Sequence, residues 1–189
     1  MDDLVLDAVR DCVLAYGVRR TTVTEVARRA GVSRMSVYRR WPDVQSLVGD
    51  LMSREWHRVI VAARDGGDAG APVRERLVAQ SVAAAAALRV HPLLRKIIDV
   101  DPEILLPYLL HRRGAGQDEM LAFLVEAIAA GQADGSIRAG EPARLARAVL
   151  LTAQSFVLSM PTVADAYDPA DLDTELSTLL DVYLRPGQE

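Results

Sequence analysis

Residues 22–41, TVTEVARRAGVSRMSVYRRW, constrain the fold of this chain more than any other stretch. Thr22 followed three positions on by Glu25 is a capping-box pattern, in which a hydroxyl and a carboxylate each satisfy a backbone N–H that a helix start leaves orphaned. A first helix therefore begins after Thr22. Val26 and Ala30 share one of its faces, and Gly31 follows where a left-handed residue ends a helix at least cost, so the helix stops at Ala30. Ser33 is suited to cap a second helix. On that helix Val37 faces inward, which leaves Arg34, Met35, Ser36, Tyr38, Arg39 and Arg40 to face outward. Two short helices about a tight turn, with small Ala27 where they must approach, make a helix-turn-helix whose second helix is shaped to enter a groove.

The charge agrees with that reading. From Arg19 to Trp41 there are seven arginines and one acid, a local charge of +6 in a chain whose net charge is −4. Guanidinium concentrated on one small motif of an acidic chain attracts phosphate there while the rest repels it. A solvated arginine face would show the same charge, but the coincidence of cap, glycine, small residue and charge favours nucleic acid.

The segment before this motif reads as a helix. Asp3 is a candidate cap, and Asp2, Asp7 and Asp11 lie where the positive end of the helix dipole favours carboxylates. Val5, Ala8, Val9, Cys12, Val13 and Tyr16 follow the rhythm of one buried stripe. Gly17 ends the helix, which would pack across the helix-turn-helix. Cys12, the one cysteine, sits within the stripe and reads as a small core residue rather than a redox group; it excludes an internal disulfide and a Cys-clustered zinc site.

With these residues in view, positions 4–51 resemble the DNA-binding domain of the tetracycline-repressor (TetR) family of bacterial regulators. The resemblance is carried by Ala15 to Gly17, Thr21 to Val23, Val26 and Ala27, Ala30 to Ser33, Val37 and Tyr38, Trp41 to Asp43, and Leu47. It covers about a quarter of the chain. For the remainder it implies an architecture, not a ligand.

After Pro42 and the candidate cap Asp43, a helix is expected to about Arg64, with Val44, Leu47, Val48 and Leu51 on one apolar face and Trp56, Val59, Ile60 and Ala63 on another. The shift of face near Met52 suggests that its two ends pack on different partners. Glycines and Pro72 mark 64–72 as a flexible loop. Further helices are expected over 73–90, 93–100, 102–113, 118–133, 142–160 and 172–184, with Pro92, Pro102 and Pro107 as breaks or kinks and Gly114 to Gly116 as a turn. The helix over 142–160 is apolar nearly all round and so must be covered on all sides; a second copy of it is a plausible cover.

Half of the 189 residues are apolar and only 5% aromatic, which favours alanine-rich helices packed on helices, an all-α chain. We divide it into a helix-turn-helix domain over 1–50 and a helical ligand-binding and dimerisation domain over 51–189. No apolar run reaches the ~20 residues of a membrane span and no signal segment opens the chain, so the expected location is cytoplasmic. His57, His91 and His111 fall at no metal spacing, and no nucleophile elbow, Walker loop or dinucleotide glycine pattern is present. The chain displays no catalytic, cofactor or metal site.

The resemblance implies a homodimer that lays residues 34–40 of each subunit in the major groove of a palindromic operator. Arg34, Met35 and Ser36 are the candidates for base edges, and Thr22, Tyr38, Arg39 and Arg40 for phosphates. It also implies that a small molecule in the C-terminal helices moves the long helix and changes the spacing of the two reading heads. Trp56 or His57 is a candidate for the pocket's lower wall, though plain core is the better reading of Trp56. Leu94, Ile98, Leu105, Tyr108, Phe123 and Gln154 are the ligand candidates, which would suit a hydrophobic or amphipathic effector. The helices over 118–133 and 142–160 would form a four-helix contact across the two-fold axis through Leu121, Val125, Ile128, Val149, Ala153 and Phe156. The expected function is a transcriptional repressor. The alternative is a DNA-binding adapter or structural protein whose C-terminal helices serve only dimerisation or a protein partner.

Overall fold

The computed structural model describes residues 1–65 and 70–187. In chain order its helices are α1 (Asp2–Tyr16), α2 (Val23–Ala30), α3 (Arg34–Arg40), α4 (Val44–Asp65), α5 (Val73–Arg89), α6 (Pro92–Val100), α7 (Leu106–Leu110), α8 (Ala115–Ala133), α9 (Pro142–Leu158) and α10 (Pro169–Leu184). Single 3-10 turns stand at Pro102–Ile104 and Met160–Thr162, and no strand occurs among the described residues. The all-α class is as the sequence implies. Of the loop expected over 64–72, residues 66–69 lie outside the described residues, and Arg64 is still helical.

The chain divides into two compact units, Met1–His57 with Val90–Gly116, and Arg58–Arg89 with the chain from Gln117 onward. α4 starts in the first and ends in the second, and its apolar face changes along the same length: Leu47, Val48 and Leu51 are buried near its start and Ile60 near its end. Trp56 and His91, both in the first unit, meet edge to face with ring centroids 5.2 Å apart. His57 is exposed.

In the first unit α1 buries Val5, Ala8, Val9, Cys12 and Val13, as its stripe predicts, whereas Tyr16 is exposed. Tyr16 instead accepts a hydrogen bond on its hydroxyl from Arg29 at 3.0 Å. Burial pushes the Cys12 thiol pKa up, with nearby Arg29 opposing, so Cys12 stays a protonated core residue. Met1, not Asp3, caps α1; Asp2 and Asp3 lie in its first turn, and Asp7 and Asp11 stand too far along to meet the positive end of the dipole. α6 adds Leu93, Leu94 and Ile97 to this unit's buried residues, with His91 at its N-cap and Pro92 opening it.

Two other boundaries differ from the sequence pattern. The helix expected over 102–113 is a 3-10 turn followed by the five-residue α7, because Pro107 can start a helix but cannot donate within one. Ala115 and Gly116 are helical rather than a turn, and Gly116 packs against Trp56, where an added Cβ would meet Cδ1 at 2.9 Å.

The second unit is built from α5, α9 and α10 with most of α8. Its core includes Leu77, Val78, Leu124, Ile128, Leu145, Val149, Leu176 and Leu180. Each fully buried leucine contributes about 1.5–3 kcal/mol relative to exposure. Arg74 and Arg89, at the two ends of α5, pair with Asp181 and Asp173 of α10. No single described helix is long and apolar enough to cross a membrane.

Candidate nucleic-acid interface

The helix-turn-helix forms where the residues dictate. Thr22 is extended and its Oγ1 accepts the Glu25 N–H at 3.3 Å; Gly31 is left-handed, with φ 67°, and its N–H returns to Ala27 and Arg28. Ser33 caps α3 by accepting the Ser36 N–H at 3.1 Å. Only half of the expected capping box forms. The Glu25 carboxylate turns to Arg28 and Arg29, whose guanidinium groups donate at 2.7–2.9 Å, since three charge-assisted bonds outcompete one neutral backbone N–H. Arg28 first and Arg29 second hold the Glu25 pKa down at about 2.

Val23, Val26 and Ala27 of α2 and Val37 of α3 are buried, so the two helices are fixed by a small apolar contact. Trp41 closes α3, 2% exposed, and donates from its indole nitrogen to Asp50 of α4 at 2.8 Å. Asp43 caps α4 by accepting the Ser46 N–H at 2.7 Å. With Val37 turned in, α3 presents Arg34, Met35, Tyr38, Arg39 and Arg40 to solvent, and Ser36 is half-buried beside the Ser33 hydroxyl at 2.9 Å. Met35 is 75% exposed, more than any other large apolar residue described. A protruding thioether on a helix that already has a core contact is available to an apolar partner such as a thymine methyl.

The arginines are not equivalent. Arg28 and Arg29 are committed to Glu25, and Arg19 lies 2.5 Å from Glu103 and 3.8 Å from Asp101. Arg40 is within 3.5 Å of Asp2 and 3.9 Å of Asp50. Among the described residues, Arg20, Arg34 and Arg39 have no charged partner. The sequence shows seven arginines of one sign and cannot show that four of them are partly neutralised from within the chain.

A family model for bacterial regulatory proteins of the tetR family matches residues 5–51. Across nearly the whole length, an HTH-type transcriptional regulator of Mycobacterium bovis is 40% identical over 181 residues, 95% of this chain and 92% of the relative. The chain belongs to the TetR family of transcriptional regulators. Solved TetR-like folds agree at lower identity. The fatty acid degradation regulator FadR from Bacillus halodurans superimposes with a TM-score of 0.68 at 18% identity, over 95% of this chain and 93% of FadR. SmeT, the repressor of the Stenotrophomonas maltophilia multidrug efflux pump SmeDEF, gives 0.67 at 18% identity, over 98% and 90%, and has also been solved with triclosan.

In this TetR-family chain the other sequence-derived candidates fall as follows. Leu94 and Leu105 are buried and Ile98 and Tyr108 half-buried in the first unit; the Tyr108 ring lies under Arg112, with the guanidinium carbon 4.9 Å from its centroid. In the second unit Phe123 lies under Arg64 at 4.6 Å, and Gln154 accepts from Gln117 at 2.9 Å. Leu121, Ile128 and Val149 are 8%, 0% and 1% exposed within the single chain and belong to its own core. Val125 and Phe156 pack as half-buried margins of that core, and Ala153 is also half-buried. Leu151 on α9 and Leu179 and Val182 on α10, which the sequence reading did not single out, are 65%, 49% and 62% exposed; α8 leaves no large apolar side chain exposed. The nearly all-round apolar character of residues 142–160 was the available signal. It could not say which side its own chain covers.

Proposed function

We propose that this TetR-family regulator is a homodimeric, cytoplasmic repressor that holds a palindromic operator and releases it when a hydrophobic or amphipathic small molecule binds the helices beyond residue 51. The observation that carries the reading is α3, capped at Ser33 and anchored by Val37 and Trp41, with Arg34 and Arg39 unneutralised beside exposed Met35 and Tyr38. Arg34, Met35 and Ser36 on its leading turn read base edges; Tyr38, Arg39 and Arg40 hold phosphates. Thr22 joins the second group, because its hydroxyl accepts from Glu25 and still has its own hydrogen to donate.

Two copies meet through the faces of α9 and α10 that carry Leu151, Leu179 and Val182. This proposal retains α9 from the sequence-derived interface and replaces α8. Two-fold symmetry then requires inverted half-sites. The functional division we propose remains a reading head over 1–50 and a regulatory part over 51–189. Ile98, Tyr108, Phe123 and Gln154 are the candidate effector contacts to be tested singly. The fold neighbour SmeT, a repressor solved with triclosan, supports an apolar effector class by analogy of fold alone.

Selection of bound duplexes from a random library tests this function. An enriched inverted repeat bound by two chains, and blocked transcription from a promoter carrying it, are the expected results. Enrichment of nothing, or of a single half-site bound by one chain, overturns the reading.

A further inference from the structure

The connection between α1 and the helix-turn-helix is fastened from outside it. The chain leaves α1 at Gly17, with φ 84°, and the Val18 N–H then donates to Oδ2 of Asp101 at 2.6 Å, across 83 positions of sequence. Asp101 is 2% exposed, so its carboxylate is not a surface decoration. Its backbone closes α6, donating to the Ile97 carbonyl, and its side chain reaches the connection. Gly17 is what lets the two approach: a Cβ there would lie 2.5 Å from Oδ2 of Asp101 and 2.9 Å from Cγ1 of Val100. Thr21 closes the same loop by donating from Oγ1 to the Gly17 carbonyl at 2.7 Å, one residue before the cap of α2. Arg19, between them, is drawn to Glu103 at 2.5 Å and to Asp101 at 3.8 Å.

We propose that Asp101 is a positioning residue for the reading head: carried on the end of α6, it sets the peptide from which α2 and α3 depart. The proposal rests on the regulator reading above and names one of its internal connections. A buried N–H without its acceptor is costly, so loss of the carboxylate forces the Gly17–Val18 peptide to shift or leaves it unsatisfied. Either response loosens the pose of α2 and α3 before docking, and a head that must be ordered on binding binds more weakly. Glu103 pairs with Arg19 beside this bond. Arg19 is thus assigned to holding the head and not to a phosphate.

The test uses the full chain and the duplex that the wild type selects. Asp101→Ala should expose the Val18 amide to hydrogen exchange at least ~10-fold faster and lower duplex affinity on the order of 10-fold, with the folded fraction unchanged by circular dichroism. Asp101→Asn, whose amide oxygen can still accept, should recover most of both. Arg19→Ala should lower affinity without changing the slope of log affinity against log salt, whereas loss of a phosphate contact would reduce that slope by about one. If Asp101→Ala does not fold, Arg19→Ala and Asp101→Asn decide the matter through the salt slope and the Val18 exchange rate. Wild-type affinity within about twofold in Asp101→Ala, a protected Val18 amide in that variant, or a reduced slope in Arg19→Ala overturns the assignment while the regulator reading stands. A wild-type chain that retains no duplex removes both.

Discussion

The indole nitrogen of Trp41 donates to the Asp50 carboxylate at 2.8 Å, and this bond ties the end of α3 to the second turn of α4. Trp41 is 2% exposed, and Arg40 lies over its ring with the guanidinium carbon 5.5 Å from the centroid. Trp41→Phe removes the bond and part of the packing and should cost about 1–3 kcal/mol in urea unfolding. Asp50→Asn keeps an acceptor and should cost less. Equal losses in the two variants would show that the bond to a charged acceptor, not the packing of the ring, holds the helix.

Glu25 offers a pH test with a definite sign. Its folded-state pKa is depressed from the ordinary 4.5 to about 2, chiefly by the Arg28 hydrogen bond. A depressed carboxyl contributes stability that is fully present above pH 4.5 and is lost as pH falls through about 2. Carbon-detected NMR titration should place the Glu25 midpoint near the lower value, and Arg28→Gln should move it upward. A wild-type midpoint at the ordinary value would mean that the two guanidinium groups do not hold it in solution.

Gly17 and Gly31 both have positive φ, 84° and 67°, but only one faces an obstacle. At Gly31 nothing lies within 4 Å of an added Cβ, so Gly31→Ala should cost only the backbone term, roughly 1–2 kcal/mol. Gly17→Ala adds the conflict with Asp101 and should cost clearly more in the same denaturant series. Equal costs would imply that the Asp101 side chain moves aside freely.

The contrast between these glycines shows what could be read from sequence. Gly31, Thr22, Ser33 and Asp43 are local signals, each acting within three or four residues, and the helix ends fall where they stand. The tetrapeptide logic fails where a group has a stronger distant or charged option. Glu25 abandons half of its capping box for two arginines, and Asp101 finds Val18 from 83 residues away. Periodicity likewise identified α9 as apolar on every side without separating Val149, which its own chain buries, from Leu151, which it leaves exposed. A pattern along one helix carries no record of which neighbour covers each face.

That last distinction makes the association surface testable. Leu151→Glu together with Val182→Glu places carboxylates on exposed positions of α9 and α10, so the fold of one chain should survive while self-association weakens at least ~10-fold by sedimentation. Val149→Glu puts a charge into the core and should instead unfold the second unit. A double variant that remains as associated as the wild type would move the contact to another face.

Arg34 and Arg39 stand on the same seven-residue helix and neither has a charged partner among the described residues, yet they should behave differently on DNA. Arg34 is at the start of α3, where side chains of a docked recognition helix reach base edges; Arg39 is on its last turn, nearer the backbone. Arg39→Ala should weaken every duplex alike and reduce the salt slope by about one. Arg40→Ala should do less, because Asp2 and Asp50 already draw on its charge. If Arg34 holds a guanine bidentately, Arg34→Ala should cost about 1–3 kcal/mol on the selected duplex and relax preference at one position of each half-site. Binding measured across a set of single-base operator variants separates these outcomes. A uniform loss for Arg34→Ala would reassign it to phosphate and leave Met35 and Ser36 as the base-reading candidates on this helix.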